Sequence, residues 1–83
     1  MSDPAAQARV RLYTRPGCHL CDDARAVVAR VCAELGTSYD EVDITTDDEL
    51  LTAYAEQIPV TFVDGAQHDF WRVEEDRLRH ALS

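Results

Sequence analysis

The hydrophobic and polar positions in the first half of the chain predict a strand, a helix and a second strand. Residues 9–14 alternate charged or aromatic side chains with aliphatic ones, which predicts a strand with Val10 and Leu12 facing inward. Gly36 is typical of a position just beyond a helix end. Residues 39–44 form a weaker strand pattern, and its carboxylates indicate the edge of a sheet. The helix between the two strands has its apolar positions on one face: Ala24, Val28, Val31 and Leu35.

The second half of the chain predicts a helix, a hairpin and a final helix. Residues 46–49 fit a capping box in which Thr46 and Glu49 satisfy each other's backbone donors, and Pro59 closes the helix that follows. Residues 60–63 are β-branched or aromatic and predict a strand. The Asp64-Gly65 pair then favours a type I′ turn. Residues 67–71 return as a strand, and a final helix buries two leucines, Leu78 and Leu82.

The predicted order of elements is therefore βαβ followed by ββα. A βαβ unit joins two parallel strands by a right-handed crossover, and a hairpin adds antiparallel strands. The expected fold class is α/β, with a four-stranded mixed sheet flanked by three helices. Because the chain has only 83 residues, we expect one domain over residues 1–83, with residues 1–8 as a flexible N-terminal tail.

Charge and hydropathy exclude several classes of partner. Sixteen acidic residues and eight arginines give a net charge of −8, and the densest charged block, residues 40–49, is acidic. A nucleic acid would need a clustered basic face, so none is expected as a partner. No apolar run approaches the roughly 20 residues that span a bilayer, and residues 1–7 do not resemble a secretory signal. We therefore expect a cytoplasmic monomer that contacts no membrane.

Cys18 and Cys21, at the start of the first helix, carry the strongest chemical signal. Side chains three residues apart are neighbours on a helix, so these two sulfurs can form and break a disulfide with little backbone movement. Backbone N–H groups of the first turn favour a thiolate there. An odd count of three cysteines without a secretory context also favours reactive or buried thiols over a structural disulfide framework. The spacing predicts a redox dithiol.

Zinc or iron–sulfur binding is the main alternative for this pair. His19 is too close in sequence to complete a second ligand pair, and no second Cys-x-x-Cys occurs, so we predict no metal site. A metal-binding or protein-interaction module without redox turnover therefore stands as the alternative function.

The other titratable groups near the pair have weaker signals. Asp22 and Asp23 lie within one turn of both sulfurs and disfavour a thiolate there. His19 adds positive charge when protonated, or simply faces water. Cys32 lies eleven residues beyond Cys21, about 16 Å along a straight helix, so it cannot join the pair. We expect Cys32 to be a buried small hydrophobic residue.

Four stretches of the chain together resemble the glutaredoxin family, and small bacterial glutaredoxin-like proteins in particular. The likeness runs from about Arg9 to Leu82. Its four stretches are residues 12–21, 42–44, 58–60 and 62–65, and the first of them ends in the sequence Gly-Cys-His-Leu-Cys. It implies a thioredoxin-like fold and a thiol–disulfide oxidoreductase in which Cys18 attacks and Cys21 resolves. It also implies a substrate-binding set, with Pro59 as a cis proline facing the cysteines: Tyr13, Arg15, His19, Ile58 and Pro59.

One stretch departs from the family pattern. Glutaredoxins that use glutathione carry a Gly-Gly pair after the hairpin, whereas this chain has residues 68–72 there, and we expect Phe70 and Trp71 to pack in the core or as a lid. Glutathione is therefore in doubt as the reductant, and a flavoprotein reductase is its rival. No bound cofactor is expected. The expected partners are a protein disulfide substrate and one of these two reductants.

Overall fold

The computed structural model describes residues 8–82, and it confirms the predicted βαβ–ββα order. Apart from Ala8, the predicted N-terminal tail lies outside the described residues. A short 3₁₀ turn, Ile44–Thr46, precedes the second helix. The strands are β1 (Val10–Thr14), β2 (Tyr39–Asp43), β3 (Val60–Val63) and β4 (Ala66–Phe70), and the helices are α1 (His19–Leu35), α2 (Asp48–Tyr54) and α3 (Glu75–Leu82).

The four strands form one mixed sheet in the order β2-β1-β3-β4. β1 is parallel to β2 and antiparallel to β3, and β3 is antiparallel to β4. β1 is therefore central, and β2 lies at an edge, as its carboxylates predicted. No helix within residues 8–82 is long and apolar enough to cross a membrane.

One face of the sheet packs against α1 and α3. Val10 and Leu12 are fully buried on this face, as the alternation in β1 predicted. Leu35 was predicted to be buried with them, but this final residue of α1 is 38% exposed, because the buried face of the helix ends at Cys32. The core cluster on this face joins β1, β3 and both helices: Val10, Val28, Val31, Cys32, Val63, Leu78 and Leu82.

The opposite face packs against the short helix α2 through an aromatic cluster. The ring of Tyr13 lies 5.2 Å from that of Tyr54 and 4.9 Å from that of Phe62, between ring centroids. Leu50 packs with them, whereas Leu51, the next residue along α2, is exposed. The helix also ends at Tyr54 rather than continuing toward Pro59.

The predicted capping box is wrong by one residue. Asp47, not Thr46, caps α2, and its carboxylate accepts from the backbone N–H groups of Glu49 and Leu50. The Thr46 hydroxyl instead donates to the Asp43 carbonyl, because the chain first makes a 3₁₀ turn that the Asp43 carboxylate caps. A carboxylate beside an N-terminal turn also complements the helix dipole.

The hairpin forms as predicted, but β4 ends one residue early. Asp64 and Gly65 both have positive φ, 52° and 85°, as a type I′ turn requires. Phe70 and Trp71, expected in the core or as a lid, are 45% and 53% exposed. Phe70 pairs with Val60 across the sheet, but β4 is an edge strand and has no outer neighbour to cover the Phe70 ring.

Candidate functional site

The junction of β1 and α1 places the two cysteines at the carboxyl end of the central strand. Gly17 turns the chain with a φ of 73°, and Cys18, in an extended conformation, is the N-cap of α1. Cys21 is the third helical residue. Cys18 is half-buried, Cys21 is completely buried, and both are free thiols. One sulfur is therefore reachable from outside and the other lies beneath the helix.

Hydrogen bonding and burial treat the two sulfurs differently. The Cys21 N–H donates to the Cys18 sulfur over 3.1 Å, so a helix N-terminal donor supports negative charge on the outer sulfur. Burial, reinforced by Cys18, raises the pKa of the Cys21 thiol to about 12. A hydrogen bond from the Arg15 main chain and the charge of Arg25 oppose that rise. The inner sulfur is therefore held as a thiol near neutral pH.

The predicted substrate-binding residues divide into a buried group and an exposed rim. Ile58 belongs to the same apolar cluster as Cys21, and Tyr13 packs against that cluster together with Cys18. Pro59 is buried, and the Ile58–Pro59 bond is cis, in agreement with the position that the family resemblance implied. Two of the predicted residues, Arg15 and His19, are exposed beside the cysteines. The structure therefore places Tyr13 and Ile58 in one cluster with both cysteines, whereas Arg15 and His19 stay on the rim.

A charged cluster beneath α1 was missing from the sequence prediction. Arg25 donates two hydrogen bonds of 2.7 Å to the Glu41 carboxylate, through Nε and Nη2, and one of 2.8 Å to Asp22 through Nη1. The buried Thr14 hydroxyl donates to the same Glu41 carboxylate over 2.9 Å. Arg25 follows Cys21 by four residues, a spacing that signals neighbours on a helix, but Glu41 reaches the cluster only through the parallel pairing of β1 and β2.

A groove of about 200 Å³ lies between α1, from Leu20 to Val27, and the segment after β4. Trp71 lies in its wall with a φ of 65°, a left-handed conformation that is rare for a bulky residue. The Trp71 N–H donates to the Pro59 carbonyl over 2.8 Å, and its indole N–H donates to the Glu56 carbonyl over 2.9 Å. The main chain of Trp71 and its indole are therefore each held by a hydrogen bond, while about half of the residue remains exposed. The groove residues are Leu20, Ala24, Val27, Trp71, Arg72 and Val73, with Asp23 at its side.

Cys32 is buried in the core between α1, α3 and the sheet, as predicted. We expect Cys32→Ala to leave disulfide chemistry unchanged and to lower the free energy of unfolding by about 1 kcal/mol, the cost of removing one methyl-sized group from a core. Urea denaturation and a disulfide-reduction assay on the same preparation measure the two effects. Lost turnover in a folded Cys32→Ala protein would instead make Cys32 a functional thiol.

Among residues 8–82, no group of three or more His, Cys, Asp or Glu side chains is arranged to hold a metal ion.

Comparison with known proteins places the chain among glutaredoxin-like domains. The family model "Glutaredoxin-like domain (DUF836)" matches residues 9–83. The uncharacterized protein Rv0508 of Mycobacterium tuberculosis is 32% identical over 79 residues, which cover 89% of this chain and 81% of the relative.

Two solved structures illustrate the likeness of fold. The X-ray structure of protein XcR50 from X. campestris is 35% identical, has a TM-score of 0.73, and the match covers 88% of this chain and 93% of that one. The thioredoxin of Fasciola hepatica, at 22% identity, matches in fold with a TM-score of 0.59, over 88% of this chain and 75% of its own. With a sheet and helices arranged as in thioredoxin and a family model that spans nearly all of its length, the chain belongs to the glutaredoxin-like domain family (DUF836).

Proposed function

We propose that this protein is a thiol–disulfide oxidoreductase of glutaredoxin-like type. Cys18 is the attacking residue and Cys21 the resolving residue. The observation that carries the proposal is the contrast between the two sulfurs: Cys18 is partly accessible and accepts an N–H donor, whereas Cys21 is fully buried one turn further on. That contrast suits a reaction in which an outside molecule meets one sulfur first and the second sulfur acts afterwards.

The reaction takes two exchange steps. In the first, the Cys18 thiolate attacks one sulfur of a target disulfide, a Cys18–target S–S bond forms, and the other target sulfur leaves as a thiolate that takes up a proton. In the second, the Cys21 thiol gives its proton to solvent and attacks the Cys18 sulfur. The Cys18–Cys21 bond then forms and the remaining target sulfur leaves as a thiolate. Two electrons pass from the dithiol to the target.

The surroundings of Cys18 support a proposal for the target. The buried Ile58–Pro59 segment adjoins the cysteines and offers a main chain beside which an extended protein segment could lie. We propose a protein disulfide as the substrate. A thiol donor, either glutathione or a flavoprotein reductase, then returns the Cys18–Cys21 disulfide to the dithiol.

Thiol counting tests the proposal. The reduced protein has three thiols, and we expect mild oxidation to remove two of them, with peptide mapping locating the bond between Cys18 and Cys21. Cys18→Ser should abolish both the bond and turnover with a protein disulfide. Cys32→Ala, the matched control, should still lose two thiols because its substitution lies outside the pair.

Metal analysis of the same preparation separates the competing function. A folded protein that retains all three thiols after oxidation, or that holds stoichiometric zinc or iron through Cys18 and Cys21, would contradict the proposal and favour a binding module without turnover.

A further inference from the structure

Arg25, on α1, is anchored by hydrogen bonds to Glu41 and Asp22. It lies one helical turn beyond Cys21, and side chains on a helix lean toward its N-terminus, so the guanidinium extends back toward the cysteine turn. Its contact with Asp22, in that same turn, confirms this direction. Two hydrogen bonds to Glu41 fix it from the side of the sheet.

Apart from Arg25 and a hydrogen bond from the Arg15 main chain, the surroundings of Cys21 oppose negative charge. Ile44, Ile58 and Val60 complete its buried cluster from the 3₁₀ turn, the loop before β3 and β3 itself. Two tyrosines pack against this cluster, Tyr13 from β1 and Tyr54 from α2. On its own helix, Cys21 has Cys18 and Asp22 beside it, and from β2 the carboxylate of Glu41 approaches through Arg25. Beside the Arg15 main-chain hydrogen bond, Arg25 is therefore the charged side chain in this environment that favours a Cys21 thiolate.

We propose that Arg25, held in place by Glu41, supplies the positive charge that lets the buried Cys21 sulfur act as a thiolate in the resolving step, and that Asp22 moderates this charge. The inference rests on the proposed function, in which Cys21 must lose a proton before it attacks the Cys18 sulfur. Different groups then stabilise negative charge on the two sulfurs: the helix N-terminus on the Cys18 sulfur, and the ion-paired Arg25 on the Cys21 sulfur. The same charge opposes the rise in the Cys21 pKa that burial causes.

A two-phase reaction with 5,5′-dithiobis(2-nitrobenzoic acid) separates the two sulfurs. Attack by Cys18 on this aromatic disulfide releases one nitrothiobenzoate, and attack by Cys21 on the resulting mixed disulfide releases a second. Stopped-flow absorbance from pH 6 to pH 10, on the Cys32→Ala background, gives the rate of each phase. Arg25→Gln should slow the second phase about tenfold near neutral pH, since a nearby opposite charge changes the fraction of thiolate by that order or more. The first phase should change by less than about twofold, because solvent screens the exposed outer sulfur.

Two further variants and one control distinguish charge from structure. Asp22→Asn breaks the same ion pair as Arg25→Gln but leaves the guanidinium in place, so it should speed the second phase. Arg25→Lys should recover much of the lost rate. Arg30→Gln is the matched control, an arginine of α1 that is ion-paired to Glu75 instead, and it should change neither phase.

The outcomes are decisive in both directions. An unchanged second phase in Arg25→Gln, or equal slowing in Arg25→Gln and Asp22→Asn, would overturn the inference, because a merely structural ion pair is lost in both variants. If the wild-type protein releases one nitrothiobenzoate and no second phase follows, the proposed dithiol function itself fails. A slowed second phase in Arg25→Gln together with a faster one in Asp22→Asn supports the assignment.

Discussion

Cys21→Ser is expected to accumulate a stable mixed disulfide at Cys18, and to do so more readily with a protein disulfide than with oxidised glutathione. Without the second thiol, the intermediate of the first exchange step has no internal attacker and persists. Trp71 sets the preference. Its half-exposed indole lies in the groove wall and donates to the Glu56 carbonyl, while its main-chain N–H donates to the carbonyl of Pro59. A small tripeptide held through main-chain contacts needs close approach, which a residue without Cβ permits most readily.

Mass spectrometry of Cys21→Ser after exposure to each disulfide measures this preference. We expect glutathione to react about tenfold more slowly than the protein disulfide, which corresponds to about 1.4 kcal/mol of lost contact. Adding Trp71→Gly to Cys21→Ser should reduce the difference in rate between the two disulfides. Glycine adopts the left-handed backbone of this position, and its lack of a side chain opens the groove. Leu35→Ala, which shortens an exposed leucine at the far end of α1, is the control and should leave the ratio unchanged.

The opposite result has a specific meaning. Rapid and stoichiometric glutathionylation of Cys21→Ser, with efficient turnover of the wild-type protein by millimolar glutathione, would show that Trp71 does not restrict the groove. Glutathione would then be the reductant, and the case for a flavoprotein reductase would lose its basis.

Leu78→Ala is expected to lower the free energy of unfolding by about 2–5 kcal/mol, the usual cost of removing a fully buried leucine side chain. Leu78 has no exposed surface and joins α3 to the core cluster of α1 and the sheet. A domain of this size has only about 5–15 kcal/mol in total, so this single change removes a large share of it. Urea denaturation gives the value, provided that the slope of the transition is unchanged.

Leu51→Ala is the matched control for this experiment. It makes the same substitution in a helix, but at a leucine of α2 that is 37% exposed, so its cost should be well under 1 kcal/mol. If Leu78→Ala were equally mild, the packing of α3 against α1 would be much weaker than the buried contacts indicate.

Local chemistry explains the parts of the fold that could be predicted from the sequence. The alternation in β1 identified Val10 and Leu12 as inward, since successive strand residues point to opposite faces. Asp64-Gly65 identified its turn because the two residues adopt the required positive φ. The spacing of Cys18 and Cys21 likewise predicted their place at the start of α1. Each of these features depends on residues close together in the chain.

The failed predictions concern positions that several elements decide together. Thr46 and Asp47 both fit the pattern of a helix N-cap. Asp47 is the cap in the structure, because the Thr46 hydroxyl donates to the Asp43 carbonyl in the preceding turn. Trp71 was expected in the core or as a lid; it is not in the core, because it follows an edge strand with nothing beyond it, and it lies exposed in the groove wall. Hydrophobicity gives the preference of a side chain for burial, but the elements that pack around it decide whether it is buried.

The sequence by itself determined the dithiol, the order of the elements and the inward face of the central strand, because those depend on spacing within one helix or strand. Only the tertiary structure decided which carboxylate of the sheet holds Arg25, the arginine one helical turn beyond Cys21. Arg25 and Glu41 are sixteen residues apart and meet because β2 pairs in parallel with β1, which carries the Thr14 hydroxyl to the same carboxylate. An ion cluster of this kind has no local signal, since its energy comes from distances that exist only after the sheet has formed.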